Sequence, residues 1–169
     1  FGFKLADLEA YFPVSPYAVE KTGVEVHYLG YYVKWHPQEV YYYAVENSDF
    51  MPNDHRTEGS YSKYSSLDDK IDWLHYHTTT IKFGIGRATY DSAQEIRNGD
   101  ITREEGVALI KRFDGEFPQQ YIKDCCDYMD ITMQQYHDAI EKFRSPHLWN
   151  KVNGVWELKN PIGRDNNYV

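Results

Sequence analysis

The run from Gly84 to Thr89, GIGRAT, places two glycines, an arginine and a hydroxyl where a helix is expected to start. Free backbone N–H groups and the positive end of a helix dipole attract anions at such a point, and the Arg87 guanidinium has the fork geometry that grips a phosphate with two donors. The same six residues have a structural reading. Gly84 ends one helix, Thr89 caps the next, and Arg87 pairs with Asp91 four residues on. Spacing alone favours that second reading, because a bare GxG specifies little.

Other chemistry-bearing groups are weaker. Asp68, Asp72 and His75 share one helical face at a spacing that could hold a divalent ion. Acidic residues near a helix start need no ligand to explain them, so no metal site is assigned. His75 and His77 flank Tyr76 and point to different sides of a helix, which denies them a common zinc. Cys125 and Cys126 are the only cysteines. They are adjacent, lie in an apolar helical stripe and lack C-x-x-C spacing, so they read as packing thiols. The stretch around Glu58-Gly59-Ser60-Tyr61 is either a substrate loop or lid, or a plain surface excursion. No catalytic residue follows from these spacings.

The elements that must position these groups are mostly helical. Residues 1–23 carry Pro13 and Pro16 among scattered aromatics, which predicts short turns and a connector. Val24 to Val33, VEVHYLGYYV, is the best strand candidate; without neighbours it implies a sheet continued elsewhere and a risk of self-association. A short helix is predicted from Pro37 to Asn47, then a long loop, Ser48 to Ser66, of the kind that is usually functional or mobile. Leu67, Ile71, Leu74, Thr78 and Ile81 form the stripe of a helix that starts with Asp68 and Asp69 and stops at Gly84. A second helix fits Thr89 to Asn98, ended by Gly99.

An internal echo follows at an offset of thirty residues. Asp100-Ile101-Thr102 and Asp130-Ile131-Thr132 each open a helix with a capping box, Thr102 with Glu105 and Thr132 with Gln135, and Phe113 and Phe143 sit at matching distances. Between them a helix is predicted from Pro118 to Met129, with Ile122, Cys125, Cys126 and Met129 inward. Two copies are too few for a solenoid, so the pattern predicts a compact helical unit. Lys151 to Lys159, KVNGVWELK, reads as a hairpin about Asn153-Gly154. The expected divisions are 1–66, 67–150 and 151–169.

Composition bounds the partners. The chain has 169 residues, 41% hydrophobic and 17% aromatic with 16 Tyr, so a folded aromatic interior is expected. Its net charge is -8. That repels nucleic acid and anionic membranes, and the acidic run through Glu104, Glu105, Asp114, Glu116, Asp124, Asp127 and Asp130 argues against a DNA-reading helix pair. No apolar run approaches the ~20 residues needed to span a bilayer, and no signal segment opens the chain. A cytoplasmic location is expected.

The run Lys82 to Pro118, KFGIGRATYDSAQEIRNGDITREEGVALIKRFDGEFP, resembles the carboxy-terminal region of N-acetyl sugar amidotransferases. LGYY (Leu29 to Tyr32), EGSY (Glu58 to Tyr61), LDDKIDWLHY (Leu67 to Tyr76) and SPHLW (Ser145 to Trp149) extend the resemblance in order. It implies a PP-loop, HUP-like α/β enzyme of which this piece is the mostly α-helical part. The implied reaction activates a sugar acetamido oxygen with ATP and Mg2+ so that ammonia yields an acetamidino group in lipopolysaccharide or O-antigen assembly. Ammonia would come from a glutaminase working with a cyclase-like subunit, and the substrate would be a UDP-linked N-acetylated sugar.

The family's S-G-G-x-D-S phosphate loop and amino-terminal cysteine cluster have no counterpart here. The opening resembles the middle of the family's chain, so Phe1 is expected to begin a fragment that neither hydrolyses ATP nor holds a cofactor alone. The resemblance implies a sugar-nucleotide or phosphate surface at Lys82, Gly84, Gly86, Arg87 and Thr89, then Glu58 and Lys70. The rival expectation is a non-catalytic helical module that docks the glutaminase or cyclase-like partner.

Overall fold

The structure, a computed structural model, describes residues 2–163. The chain divides into two compact units, Phe1–Pro37 and Gln38–Val169.

The first unit holds a 3-10 turn, Leu5–Tyr11, and two short helices, α1 (Pro16–Thr22) and α2 (Leu29–Tyr32), none with a buried residue. Pro16 opens α1 and Gly23 closes it in the left-handed conformation. The strand expected over Val24 to Val33 does not form: 24–28 is irregular and Leu29–Tyr32 is a single helical turn. The cause is the absence of a neighbouring strand among the described residues. Val24 and Val26 are 66% and 79% exposed, and β-branched residues favour a strand only on a pleated, half-buried surface. With no ladder, the backbone closes on itself through Tyr31 N–H to the Tyr28 carbonyl and Val33 N–H to the Leu29 carbonyl.

The second unit is helical, with a hairpin at its end: α3 (Pro37–Asn47), α4 (Ile71–Phe83), α5 (Arg87–Asn98), α6 (Arg103–Phe113), α7 (Ile122–Tyr128), α8 (Met133–Phe143), β1 (Trp149–Val152) and β2 (Val155–Leu158). Among the described residues the chain is therefore mostly α-helical with one small antiparallel sheet. The strands pair Trp149 with Leu158 and Val152 with Val155. Asn153 and Gly154 both take positive φ, as a tight hairpin turn requires.

Leu74 and Ile81 of α4, Ile122, Cys125 and Cys126 of α7, and Tyr136 and Ile140 of α8 make the apolar core. α4 starts four residues later than the spacing predicts, at Ile71, with the Asp69 carboxylate accepting from the Ile71 N–H at 2.7 Å. Its buried face is rotated accordingly. Trp73, Tyr76, His77 and Thr80 point inward with Leu74 and Ile81, while Leu67 and Ile71 are exposed. Large aromatic side chains cover more area than the aliphatic stripe does, and their burial sets the face.

α7 is likewise shorter than expected, and Met129 is exposed. Both capping boxes form, but the echo is not symmetric: Phe113 is buried and Phe143 exposed. α5 and α6 approach closely because Gly106 carries no side chain; a Cβ there would stand 2.7 Å from Ile96 Cδ1.

Candidate functional site

Gly84 ends α4 in the left-handed conformation, and the chain re-enters a helix two residues later with Gly86, not Thr89, as N-cap of α5. Thr89 is instead the third helical residue. A carboxylate occupies this helix start. Asp114, just after α6, accepts from Gly86 N–H at 2.9 Å, Thr89 N–H at 3.2 Å and the Thr89 hydroxyl at 2.5 Å. Ala88 N–H donates to the Gly59 carbonyl at 3.1 Å. The position attracts an anion, as helix starts do, and the protein supplies it internally.

Arg87 is equally committed. Its Nε donates to Asp91 at 2.8 Å, Nη1 to the Tyr76 hydroxyl at 3.1 Å and Nη2 to Ser65 Oγ at 3.2 Å. Asp91 holds its pKa up against burial, and the guanidinium lies over the Tyr76 ring. Asp91 also accepts the Ser60 hydroxyl at 2.5 Å. Arg87 thus ties α5 to the 48–66 loop.

That loop is packed rather than loose. Thr57, Ser60, Ser62 and Ser65 are buried; Thr57 N–H donates to the Ser62 carbonyl and its hydroxyl to the Ser65 carbonyl. Buried hydroxyls must be paired, so the Ser-rich composition is a polar core. Arg56 forks onto both Glu116 oxygens at 2.6 Å, and Glu116 also accepts Gly59 N–H at 2.9 Å. The Arg56 bond holds the Glu116 carboxyl below its ordinary range.

The remaining predicted residues stand apart. Glu58 lines an open depression of about 580 Å3 with Arg56, Lys63 and Gln120 and accepts Gln120 N–H at 3.1 Å. Burial, before the nearby Glu116, pushes its carboxyl upward. Lys70 pairs with Asp124 at 2.8 Å on the surface. Lys82 is exposed and lies over Phe83. Gly86, Arg87 and Thr89 are brought together, Gly84 faces a different cleft, and Glu58, Lys70 and Lys82 occupy separate places. Among the described residues no group of three His, Cys, Asp or Glu side chains is arranged to hold a metal; His75 Nδ1 and Asp72 Oδ1 stand 3.8 Å apart. Burial pushes the Cys125 and Cys126 thiols up, which disfavours the reactive thiolate.

Spacing did not reveal a cleft of about 520 Å3 between the ends of α4 and α6 and the hairpin. Gly84, Lys111, Asp114, Arg144, Trp149 and Trp156 are among its walls. Arg144, just past α8, lies 4.7 Å from the Trp149 ring centroid and 5.4 Å from that of Trp156. Its Nε is buried and has no hydrogen-bond partner among the described residues. The local motifs carry no sign of this, because the three residues meet only through the hairpin register; SPHLW marks Trp149 but not what faces it.

Residues 58–162 match the family described as LPS biosynthesis protein WbpG-like, C-terminal domain. No curated protein shows a significant match to the chain. The matched segment contains the 58–66 loop, the Asp114 and Arg87 network and the hairpin cleft, and it exceeds half of the 169 residues. The chain belongs to the WbpG-like C-terminal domain family of lipopolysaccharide biosynthesis proteins.

Proposed function

We propose that this chain is the carboxy-terminal portion of a cytoplasmic, ATP-dependent amidotransferase that converts an acetamido group of a UDP-linked N-acetylated sugar to acetamidino for lipopolysaccharide. The observation that carries the reading is membership of a lipopolysaccharide-biosynthesis family over 58–162. The Lys82 to Pro118 resemblance supplies the reaction class. A glutaminase and a cyclase-like subunit would deliver the ammonia.

The residues present do not fit ATP or its Mg2+. The sequence has no S-G-G-x-D-S loop, the α5 amides that would meet a phosphate hold Asp114, and no metal-ligand cluster exists among the described residues. Nucleotide activation therefore belongs to residues other than these; the share of this chain is substrate contact and subunit docking. The acidic helices, the half-buried Glu58 and the exposed Lys82 are available for those roles. Among the described residues no helix is long and apolar enough to cross a membrane.

The test joins the chain to the segment encoded upstream and supplies ATP, glutamine, both partner subunits and a UDP-linked diacetamido sugar. Mass spectrometry should find the sugar lighter by the difference between an oxygen and an imino group, with AMP released. Unchanged sugar under conditions that fold all three proteins removes the reading. Co-purification with the glutaminase but no altered sugar would instead favour a docking module.

A further inference from the structure

Arg144 is a cation whose surroundings leave it unspent. The Trp149 and Trp156 rings lie against the guanidinium; contact of that kind engages the face of the plane and leaves the in-plane N–H donors. The acidic side chain that bears on it, Glu141, is taken: it accepts from Lys151 Nζ at 2.9 Å and from Trp156 Nε1 at 2.7 Å. Trp149 Nε1 is likewise used, donating to the Ile81 carbonyl at 2.8 Å. Among the described residues no carboxylate forms an ion pair with Arg144, and its Nε is buried without a partner. A half-buried guanidinium in that state costs free energy unless a ligand answers it.

The cleft around it has the make-up of a small-molecule site. Its volume, about 520 Å3, lies within the ordinary ligand range. Ile81, Ile110 and Leu158 line it with the two indoles, and Lys111 adds a second cation on an exposed turn of α6. Asp114 and Glu157 are the acidic residues among its walls, and the Asp114 oxygens already serve the α5 start. A ligand that suits these walls has an anionic group for Arg144 and Lys111 and a ring whose apolar face packs on tryptophan.

We propose that the hairpin cleft binds the diphosphate and adjoining ring of a nucleotide-linked sugar, with Arg144 as the anion-binding residue and the apolar wall of Trp149, Trp156 and Leu158 against the ring. The identity of the sugar as substrate rests on the function proposed above; the anion-plus-ring chemistry does not.

The test titrates the 169-residue chain with UDP-N-acetylglucosamine, UDP and inorganic diphosphate, reading tryptophan fluorescence and calorimetric heat. Both uridine compounds should bind and shift the emission, and diphosphate alone should bind more weakly. If diphosphate matches UDP, the site takes a free anion and the ring-packing half of the proposal falls. Arg144→Gln should weaken UDP by about tenfold or more, the effect of losing charge-assisted hydrogen bonds. Lys111→Glu, a reversal on an exposed position, should weaken it by a smaller factor and keeps the test open if the Arg144 variant does not fold. Wild-type affinity in both variants, or no binding of any of the three compounds, overturns the proposal. Sugar amidation by a complete enzyme carrying Arg144→Gln at full rate would remove the cleft and leave the reaction. UDP binding that needs Arg144, in an enzyme that amidates nothing, would do the reverse.

Discussion

Arg87 and Arg144 stand in the same family segment, one at the start of α5 and one just past the end of α8, and they dispose of their charge in opposite ways. Arg87 is satisfied by Asp91, Tyr76 and Ser65, whereas Arg144 has two tryptophan rings and no ion-pair partner among the described residues. The glycine-flanked arginine, which local motif rules mark as ligand-like, holds a loop in place. The arginine with no motif around it is the one left for a ligand. Hydrogen-bond accounting separates the two roles where residue type and spacing do not.

Asp114 offers the largest test of that contrast. Asp114→Ala removes the acceptor of three donors at the α5 start. The expected loss is about 3 kcal/mol by chemical denaturation, the scale of stranded partners plus a lost cap. Inorganic phosphate should not restore it. Recovery of most of the lost stability in phosphate would show that GIGRAT is an anion site after all and would dissolve the contrast.

A pH sweep probes the Arg144 side. His77 is buried against Tyr136 and Phe117, and burial, then the Arg144 charge and His137, bring its pKa down from 6.5 to about 4. Between those values the unfolded chain binds the extra proton, so stability is full above about pH 6.5, falls as pH drops to about 4 and stops changing from this source below it. The difference integrates to about 3 kcal/mol at most. His77→Gln should flatten that part of the profile. An unaltered slope in the variant would place the titrating group elsewhere.

Arg87→Ala should cost about 2 kcal/mol, as a partly buried charge and its hydrogen bonds are lost and Asp91 is stranded. Arg144→Gln should cost about 1 kcal/mol or less, because cation–π contact is what it gives up. Denaturant midpoints at constant slope measure both. Equal losses would mean that Arg144 is as structural as Arg87.

Legibility in the sequence followed the range of the interactions. Capping boxes at Thr102 and Thr132, the left-handed stops at Gly84 and Gly99 and the Asn153-Gly154 turn depend on residues within a few positions of one another, and each is found where the pattern places it. The Arg87–Asp91 pair at four residues is of the same kind. What escaped depends on distant partners. Val24 to Val33 has strand composition, but a strand exists only with a neighbour. Asp114 reaches Gly86 across 28 positions, and Arg56 reaches Glu116 across 60. The hydroxyls of Ser60 and Ser65 read as loop solvation until the fold buries them. The cleft needs α4, α6 and both strands at once.

The smallest predicted effect is the one that bears most directly on whether Arg144 is unspent. Its charge depresses the His77 pKa only if no anion neutralises it, although burial remains the larger cause. Arg144→Gln should therefore raise the His77 pKa by less than about one unit, leaving it short of 6.5, as followed by NMR of labelled histidine. Saturating UDP should raise it in the same direction in the wild-type chain, since a diphosphate on the guanidinium cancels the same field, and should do nothing in the variant. A His77 pKa indifferent to both changes would mean that the Arg144 charge is already answered within the protein, and the two arginines would then differ only in which partners they chose.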